Sequence, residues 1–309
     1  MMNTYVSNVG TPEYDRAFWN SMRGQATDRN RLQTGKVRNT TTYDLPTGDD
    51  KKMAQQLVKE SLPRRITTVM GAYGTEFGII QRDSEDKATW VGKGENIPIF
   101  EGINDFSKNT IGFYKVAGIT KFDQDFTRDV SFDFRTYLIN RVARTMGRAE
   151  EEAFITGDGV KMPTGITHPD KGALVSVNTA AITYDSVIEL FFSLEPEYRD
   201  RARFIMNDKT ALQLRKLKDA DGNYLWNSTT DTILGKPVTI SNFMPDAEAG
   251  KIPVLFGDTS YYWWVPRRAV SIRALTEKFS LNDQIGYLSE EFLDGKLVRR
   301  KAAKAIKID

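Results

Sequence analysis

His168 is the one histidine among 309 residues, and the chain has no cysteine. A lone imidazole builds no zinc site without further nitrogen or sulfur ligands, and no serine or cysteine partner stands near it in sequence. It reads as a surface turn residue. The missing cysteine removes disulfides, thiolate catalysis and thiolate metal sites together. Glu150, Glu151 and Glu152 resemble a carboxylate cluster, but consecutive helix positions point about 100° apart and do not converge. Gly157-Asp158-Gly159 with Lys161 offers the residue types of a phosphate cradle. The GxxxxGK[ST] pattern is absent, however, and the turn follows a helix instead of opening one. Six basic residues follow Gly295 and could meet phosphate. They lack aromatic interleaving, and a charge run that solubilises a strand edge is the stronger reading. No catalytic set, cofactor site or metal site is expected.

The elements holding these residues center on one helix. From Ser131, the residues Phe134, Leu138, Val142 and Met146 recur every fourth position, Ala149 and Ala153 continue the stripe, and Arg141, Arg144 and Arg148 occupy other faces. The helix runs into RAEEEAFITGDGVKMPTGI. There Gly157 stands where a left-handed C-cap is wanted, Asp158-Gly159 adds turn chemistry, and Pro163-Thr164-Gly165 makes a second break. Gly157 and Gly159 are both expected at positive φ.

Other segments follow the same rules. In EYDRAFWNSM, Tyr14, Phe18 and Met22 lie four residues apart, enough for a turn or two of helix. Residues 52–61 predict a short helix stopped by Pro63. Residues 66–126 read as β-rich, interrupted by the polar excursion RDSEDKATWVGKGENIPIFEG, which suggests a two-stranded arm outside the body. NTIGFYKVAGITKF alternates as a long strand. Beyond the junction come a helix at 185–194 with Asp185 as candidate N-cap, a strand at 203–206, and a helix capped by Asn207. Strands are expected near 237–240, 254–256, 261–265 and 270–273, then a strand-like C-terminal segment. The fold class is α+β. Tyr261-Tyr262-Trp263-Trp264, apolar on both faces, fits a buried central strand or one covered by a neighbouring subunit.

With 40% hydrophobic and 27% charged residues, the chain is long enough for one large or two modest domains. A net charge of +2 argues neither way about nucleic acid. No apolar run approaches the ~20 residues of a membrane helix, so no membrane partner is expected. Residues 1–60 are polar. Between Arg16 and Arg38 six basic residues face one acidic residue, Asp28, and the segment carries Phe18 and Trp19. The expectation is an arm that orders only against a neighbour, burying both rings there.

Five phrases, in order, resemble tailed-phage major capsid proteins of the Hong Kong 97 type. RRITTVMGAYGTEFGIIQRDSEDKATWVGKGENIPIFE looks like the entry to the family's extended loop. ITKFDQDFTRDVSFDFRTYLINRVARTMGRAEEEAFITGDGVKMPTGI resembles its spine helix and exit. FIMNDKTALQLRKLKDADGNYLW is similar to its axial-domain phrase, and LGKPVTISNFMP and VLFGDTSYYWWVPR resemble later strands. The resemblance runs from residue 52 to the C-terminus. It implies a Hong Kong 97-type capsid fold divided into an N-terminal arm (1–62), an extended β-loop with adjoining strands (63–120), a peripheral domain with the spine helix (121–184), an axial domain (185–268) and a return to the peripheral domain (269–309).

The implied function is a structural shell subunit, not an enzyme, forming hexamers and pentamers of an icosahedral capsid around double-stranded DNA bound without sequence specificity. Its place would be the virion capsid, assembled in the host cytoplasm. Portal, scaffolding protein, protease and decoration protein are further partner candidates. An encapsulin-like protein nanocompartment is the alternative; the basic arm and the junction wording weigh against it. Phe18, Trp19, Trp90, Lys93 and Glu95 are the expected interface residues, and Gly157, Asp158, Gly159 and Gly165 the structural turn. The family often carries a helical scaffolding segment ahead of the arm. Here some sixty residues without sustained heptads precede the body, so scaffolding is expected to be absent, separate or already removed. The family prototype also cross-links a lysine to an asparagine with a glutamate as proton acceptor. The matching positions are Lys93, Asp283 and Glu290, with Asn282 one residue away. A carboxylate at 283 implies that no link forms.

Overall fold

The computed structural model describes residues 8–25, 32, 44–71, 77–82, 90–92, 96, 99, 106–129, 131–218, 222, 224, 226 and 231–309. Its girder is helix α5, Phe134–Thr156, whose 23 residues span about 34 Å. The helix opens three residues later than the sequence suggests. Asp133 is its N-cap, accepting the Thr136 N–H at 3.1 Å. The expected stripe is buried, with Phe134, Leu138, Val142, Met146 and Ala153 facing inward. Ala149 is only half-buried, and Glu150 takes the inward position beside it.

This stripe packs on a four-stranded sheet ordered β1-β10-β11-β4, formed by β1 (Thr68–Val69), β4 (Tyr114–Asp123), β10 (Tyr262–Leu275) and β11 (Gln284–Leu297). The antiparallel register places Arg273 beside Leu288 and Leu288 beside Ile119. The two short strands expected at 261–265 and 270–273 are one strand, with register shifts around Pro266 and Arg268. A proline that cannot donate to the ladder accounts for the irregularity. Of the aromatic run on β10, Tyr262 and Trp264 are fully buried and Trp263 half-buried, and Val265, on the Trp263 face, is fully buried too, so this end of the strand is covered on both faces.

A six-stranded sheet is ordered β5-β12-β9-β6-β8-β7. Its strands are β5 (Leu174–Thr179), β6 (Arg203–Met206), β7 (Thr232–Ile233), β8 (Lys236–Ile240), β9 (Val254–Gly257) and β12 (Ala303–Ile308). Helices α6 (Tyr184–Ser193) and α8 (Asp208–Arg215) contribute Val187, Leu190, Ala211 and Leu214 to the core shared with Phe204, Val254, Phe256 and Ile306. Asn207 caps α8 as expected, whereas Thr183, not Asp185, caps α6, through a box with Ser186. Strand pairing divides the chain differently from the sequence boundaries. β12, assigned to the peripheral return, joins β5 and β9 in the six-stranded sheet, and β10 crosses the 268/269 line unbroken. The C-terminal basic run is likewise no edge. β12 is paired on both sides because Ala303, Ala305, Ile306 and Ile308 bury between its lysines.

Strands β2 (Phe77–Arg82) and β3 (Phe106–Ile111) pair only with each other as strands, as a two-stranded sheet apart from the other two. This is the arm inferred from the polar excursion.

The N-terminal segment corrects the expectation most. Helix α1 (Pro12–Met22) begins with Thr11 accepting the Tyr14 N–H, and helix α2 (Thr47–Glu60) runs beside α5. Pro63 does not simply end a helix; it starts α3 (Leu62–Ile66). Phe18 is 1% exposed and Trp19 7%, and both belong to the core formed with Leu138, Val142, Val270 and Tyr287. They therefore bury in their own subunit and do not wait for another. Trp19 Nε1 donates to Asp49 Oδ2 at 2.8 Å, Arg135 Nε donates to Asp49 Oδ1 at 2.8 Å, and the Arg135 guanidinium lies 5.3 Å from the Trp19 ring center. The Tyr287 hydroxyl donates to the Met22 carbonyl at 2.6 Å.

Each ring truncated to alanine should therefore destabilise the unassembled subunit by about 3–5 kcal/mol. Urea unfolding of Phe18→Ala and Trp19→Ala followed by tryptophan-independent circular dichroism measures this. An unchanged midpoint would show that the rings do not hold the subunit's own core.

Candidate functional site

Helix α5 ends on a junction made of main chain. Gly157 N–H still bonds Ala153 O at 3.0 Å, then the chain leaves the helix at φ −57°, ψ 141°. Gly157 is thus not left-handed, contrary to the C-cap expectation. Its lack of a side chain is needed for a different reason: a Cβ there would overlap the Pro163 and Ala153 carbonyl oxygens. Gly165 crosses so close that its Cβ would strike the Gly157 nitrogen, and Gly165 N–H donates to Gly157 O at 2.9 Å. Gly159, at φ +66°, has the expected left-handed backbone. Ile166 N–H and Thr167 N–H return to the Phe154 and Ile155 carbonyls at 2.7 and 3.1 Å, so the last turn of the helix is closed by the turn that follows it.

Asp158 fills the turn that sequence offers as a phosphate cradle. Its Oδ1 accepts the N–H groups of Val160, Lys161 and Met162 at 2.9, 2.9 and 3.2 Å, which hold the carboxyl below its ordinary pKa. The amides that would have bound an anion are taken by the chain's own carboxylate. The turn is then fixed to the four-stranded sheet. Tyr114 OH donates to Gly159 O at 2.9 Å, Tyr262 OH to Thr164 O at 2.7 Å, and Thr164 N–H to Gly295 O at 3.1 Å.

About two turns back along α5 lies a buried ion cluster. Arg64 Nη2 meets Glu150 Oε1 at 2.6 Å and Glu291 Oε1 at 2.5 Å, its Nε reaches Glu150 Oε2 at 2.8 Å, and Ser61 Oγ donates to the same oxygen at 2.5 Å. Two carboxyl groups share one guanidinium, and Glu150 and Glu291 are both 1% exposed. Burial, reinforced by the neighbouring Glu150 and only partly opposed by Arg64, pushes Glu291 from its ordinary 4.5 up to about 8. Burial works against the Arg64 charge, but its bonds to the two glutamates raise its pKa overall. Glu291 Oε2 has no hydrogen-bond partner among the described residues, consistent with a protonated, neutral carboxyl.

Trp90 is wholly exposed, while Lys93 and Glu95 lie outside the described residues. Asp283 sits in a left-handed turn, φ 50°, after a 3-10 turn at Ser280–Asn282. Asn282 and Asp283 fall in the reversal between β10 and β11, outside both strands. Glu290 is on β11, ion-paired to Lys115 at 2.5 Å. His168 Nδ1 accepts the Asp170 and Lys171 N–H groups at 3.2 Å, as a turn residue. Among the described residues no group of three or more His, Cys, Asp or Glu is placed to hold a metal, and no helix is long and apolar enough to cross a membrane.

A long helix on a four-stranded sheet, a six-stranded sheet with its helices, and a separate two-stranded arm define the Hong Kong 97-type capsid fold. The chain belongs to the phage capsid family, whose model matches residues 45–308. It is similar to a solved structure titled capsid of the empty GTA particle, at 29% identity and TM-score 0.70, covering 89% of this chain and 94% of that one. The capsid of the native GTA particle is similar at 28% identity and TM-score 0.67, with the same coverage. A structure from Microbacterium phage Oxtober96 shares the fold at 16% identity and TM-score 0.61, over 94% of this chain and 98% of that chain. The capsid polyprotein of Pseudomonas phage PAJU2 is 24% identical over 235 residues, 70% of this chain and 34% of that protein. The chain thus spans about a third of the length of this curated relative.

Two outcomes test the site. Gly157→Val should sharply reduce soluble yield through overlap with backbone carbonyls, whereas Gly159→Asn, at a φ that asparagine tolerates and with only the Thr164 side chain to displace, should cost less; equal yields and melting temperatures would refute the close approach. For Glu291, the folded chain holds a proton between pH 4.5 and about 8 that the unfolded chain has released. Stability therefore falls as pH rises through that window and is flat above it. Urea midpoints should decline from about pH 5 to 9 in the wild type and far less in Glu291→Gln. A decline of the same size in both would show that Glu291 does not carry the proton.

Proposed function

We propose that this chain is a structural subunit of an icosahedral capsid shell, assembled from hexamers and pentamers of itself around double-stranded DNA. The observation that carries this reading is the match to the capsid family across residues 45–308, together with the near full-length likeness to GTA capsid chains, whose particles were computed with C5 symmetry. The subunit's work is then to present surfaces, not to turn over a substrate. Peripheral functions fall to α5 and the four-stranded sheet, and axial functions to the six-stranded sheet. Assembly in the host cytoplasm and encounters with a portal, scaffolding protein, protease or decoration protein follow from the same reading.

The arm supports it. Trp90 is 103% exposed and Ile99 91%, both in the segment joining β2 to β3. Large apolar side chains so presented gain about 25 cal/mol for each Å² they bury against another surface, and a neighbouring subunit supplies that surface. Lys93 and Glu95 belong to the same segment of sequence and to the same proposed contact. We propose further that no Lys93–Asp283 link forms. A carboxylate is a poorer acyl partner for an amine than a carboxamide that expels ammonia, and the Glu290 carboxylate is engaged by Lys115.

Negative-stain images of the purified chain should show closed shells, and the same particles, boiled in detergent, should run as one band near the chain's 35.0 kDa. A monodisperse monomer at high concentration would overturn the shell reading. A ladder of covalent oligomers would overturn only the statement about the link.

A further inference from the structure

The buried arc of α5 leaves a solvent-facing side whose middle is basic. Arg141, Arg144 and Arg148 are all exposed and fall within about 60° of arc, at axial spacings of about 4.5 and 6 Å. None of the three guanidinium groups enters an ion pair among the described residues. Around them stand Asn140 and Thr145, both exposed, and Tyr137, 38% exposed. Helix α2 lies alongside in the same direction, Asp49 level with Arg135 and Ser61 level with Glu150, its Glu60 backbone against Gly147. It adds exposed Lys52 and Lys59, two turns apart on one edge. Glu60 and Glu152 stand at the margins.

The center of this face is three arginines, a residue that serves both protein contacts and phosphate, and what distinguishes this row is that no described carboxylate of the subunit is paired with it. A guanidinium offers a planar fork of donors that matches phosphate oxygens, keeps its charge at any working pH, and is weakly hydrated. A row of three with no carboxylate committed to them suits a polyanion of regular charge, and double-stranded DNA carries one charge per ~1.7 Å of its axis.

We propose that the solvent-facing side of α5, through Arg141, Arg144 and Arg148, is the surface on which this subunit meets the phosphate backbone of double-stranded nucleic acid. The capsid reading supplies the reason for nucleic acid to lie there, but the test does not depend on it. The contact carries no sequence information, since arginines in a row on phosphates position a duplex without reading its bases.

The test uses the full chain, held below shell size as judged by light scattering, and a fluorescein-labelled duplex of about 25 base pairs titrated across about 50–200 mM salt. Replacing all three arginines by glutamine should lower the slope of log affinity against log salt by about 2.7, so that the fall in affinity from about 50 to 200 mM salt is roughly fortyfold smaller than in the wild type. The triple Arg→Lys variant should keep most of the slope, and Lys171→Gln, Lys216→Gln and Lys251→Gln together, exposed elsewhere, should leave it unchanged. An unaltered slope in the glutamine variant overturns the proposal. So does a glutamine variant that binds duplex normally but no longer self-associates, which would give the stripe to an acidic surface of a second copy. A wild type that forms shells yet shows no duplex binding at low salt overturns the proposal and spares the capsid reading. A wild type that binds through these arginines but forms no shells does the reverse.

Discussion

A single guanidinium, that of Arg64, holds together two carboxyl groups that the fold has taken out of water. Each comes from a different element: Glu150 from the helix and Glu291 from an inner strand of the sheet, with Arg64 arriving from α3 and Ser61 from the bend before it. Such a cluster contributes little net stability, because desolvation offsets most of the attraction, but removing Arg64 or Glu150 leaves the other's charge buried and stranded at a cost of about 3–5 kcal/mol. Its effect is positional. Only one axial setting of α5 over the sheet brings both glutamates to the same arginine, and that setting places Gly147 against the backbone of Glu60. The α1 helix, the Trp19–Asp49–Arg135 contacts and the aromatic packing of Phe134 on Tyr287 follow from it.

The junction after α5 extends this positioning to the second sheet. Its main chain bonds back to α5, and its Thr164 receives Tyr262 from β10 while Ala173 N–H bonds Ile166 O just before β5 begins. The segment is built from carbonyls and amides at closest approach, with glycine wherever a side chain would separate them. A subunit that must meet many copies of itself at fixed angles benefits from a joint of this kind, since main-chain hydrogen bonds at contact distance leave no hinge.

Much of this was legible in the sequence because it depended on local rules. The period of Phe134, Leu138, Val142 and Met146 gave the helix, Asn207 its cap on α8, and the polar excursion its two-stranded arm. What stayed hidden depended on partners distant in the chain. Glu150 continues the buried stripe four residues after Met146, and that phase was the available signal. Its neighbours Glu151 and Glu152 made it look like surface, and Arg64 and Glu291 stand 86 residues before it and far beyond it. Phe18 and Trp19 looked orphaned because their core lies on α5 and on strands more than two hundred residues later. Gly157 was marked correctly as a glycine position for a reason that concerns Pro163, not its own φ.

The central place of β12 has a consequence for how the chain folds. Lys304 pairs with Leu174, roughly 130 residues apart, and the sheet order puts β12 between β5 and β9. Until that late segment emerges from the ribosome, β5 and β9 each present a bare row of amides and carbonyls, and the apolar side chains beneath them stay wet. Pairings of such separation are slow, because loop closure must be completed before any contact rewards it. Chains in which β12 has not yet paired thus expose adhesive surface to one another, and the rate at which that late pairing closes, more than the stability of the finished subunit, limits how many reach the native state.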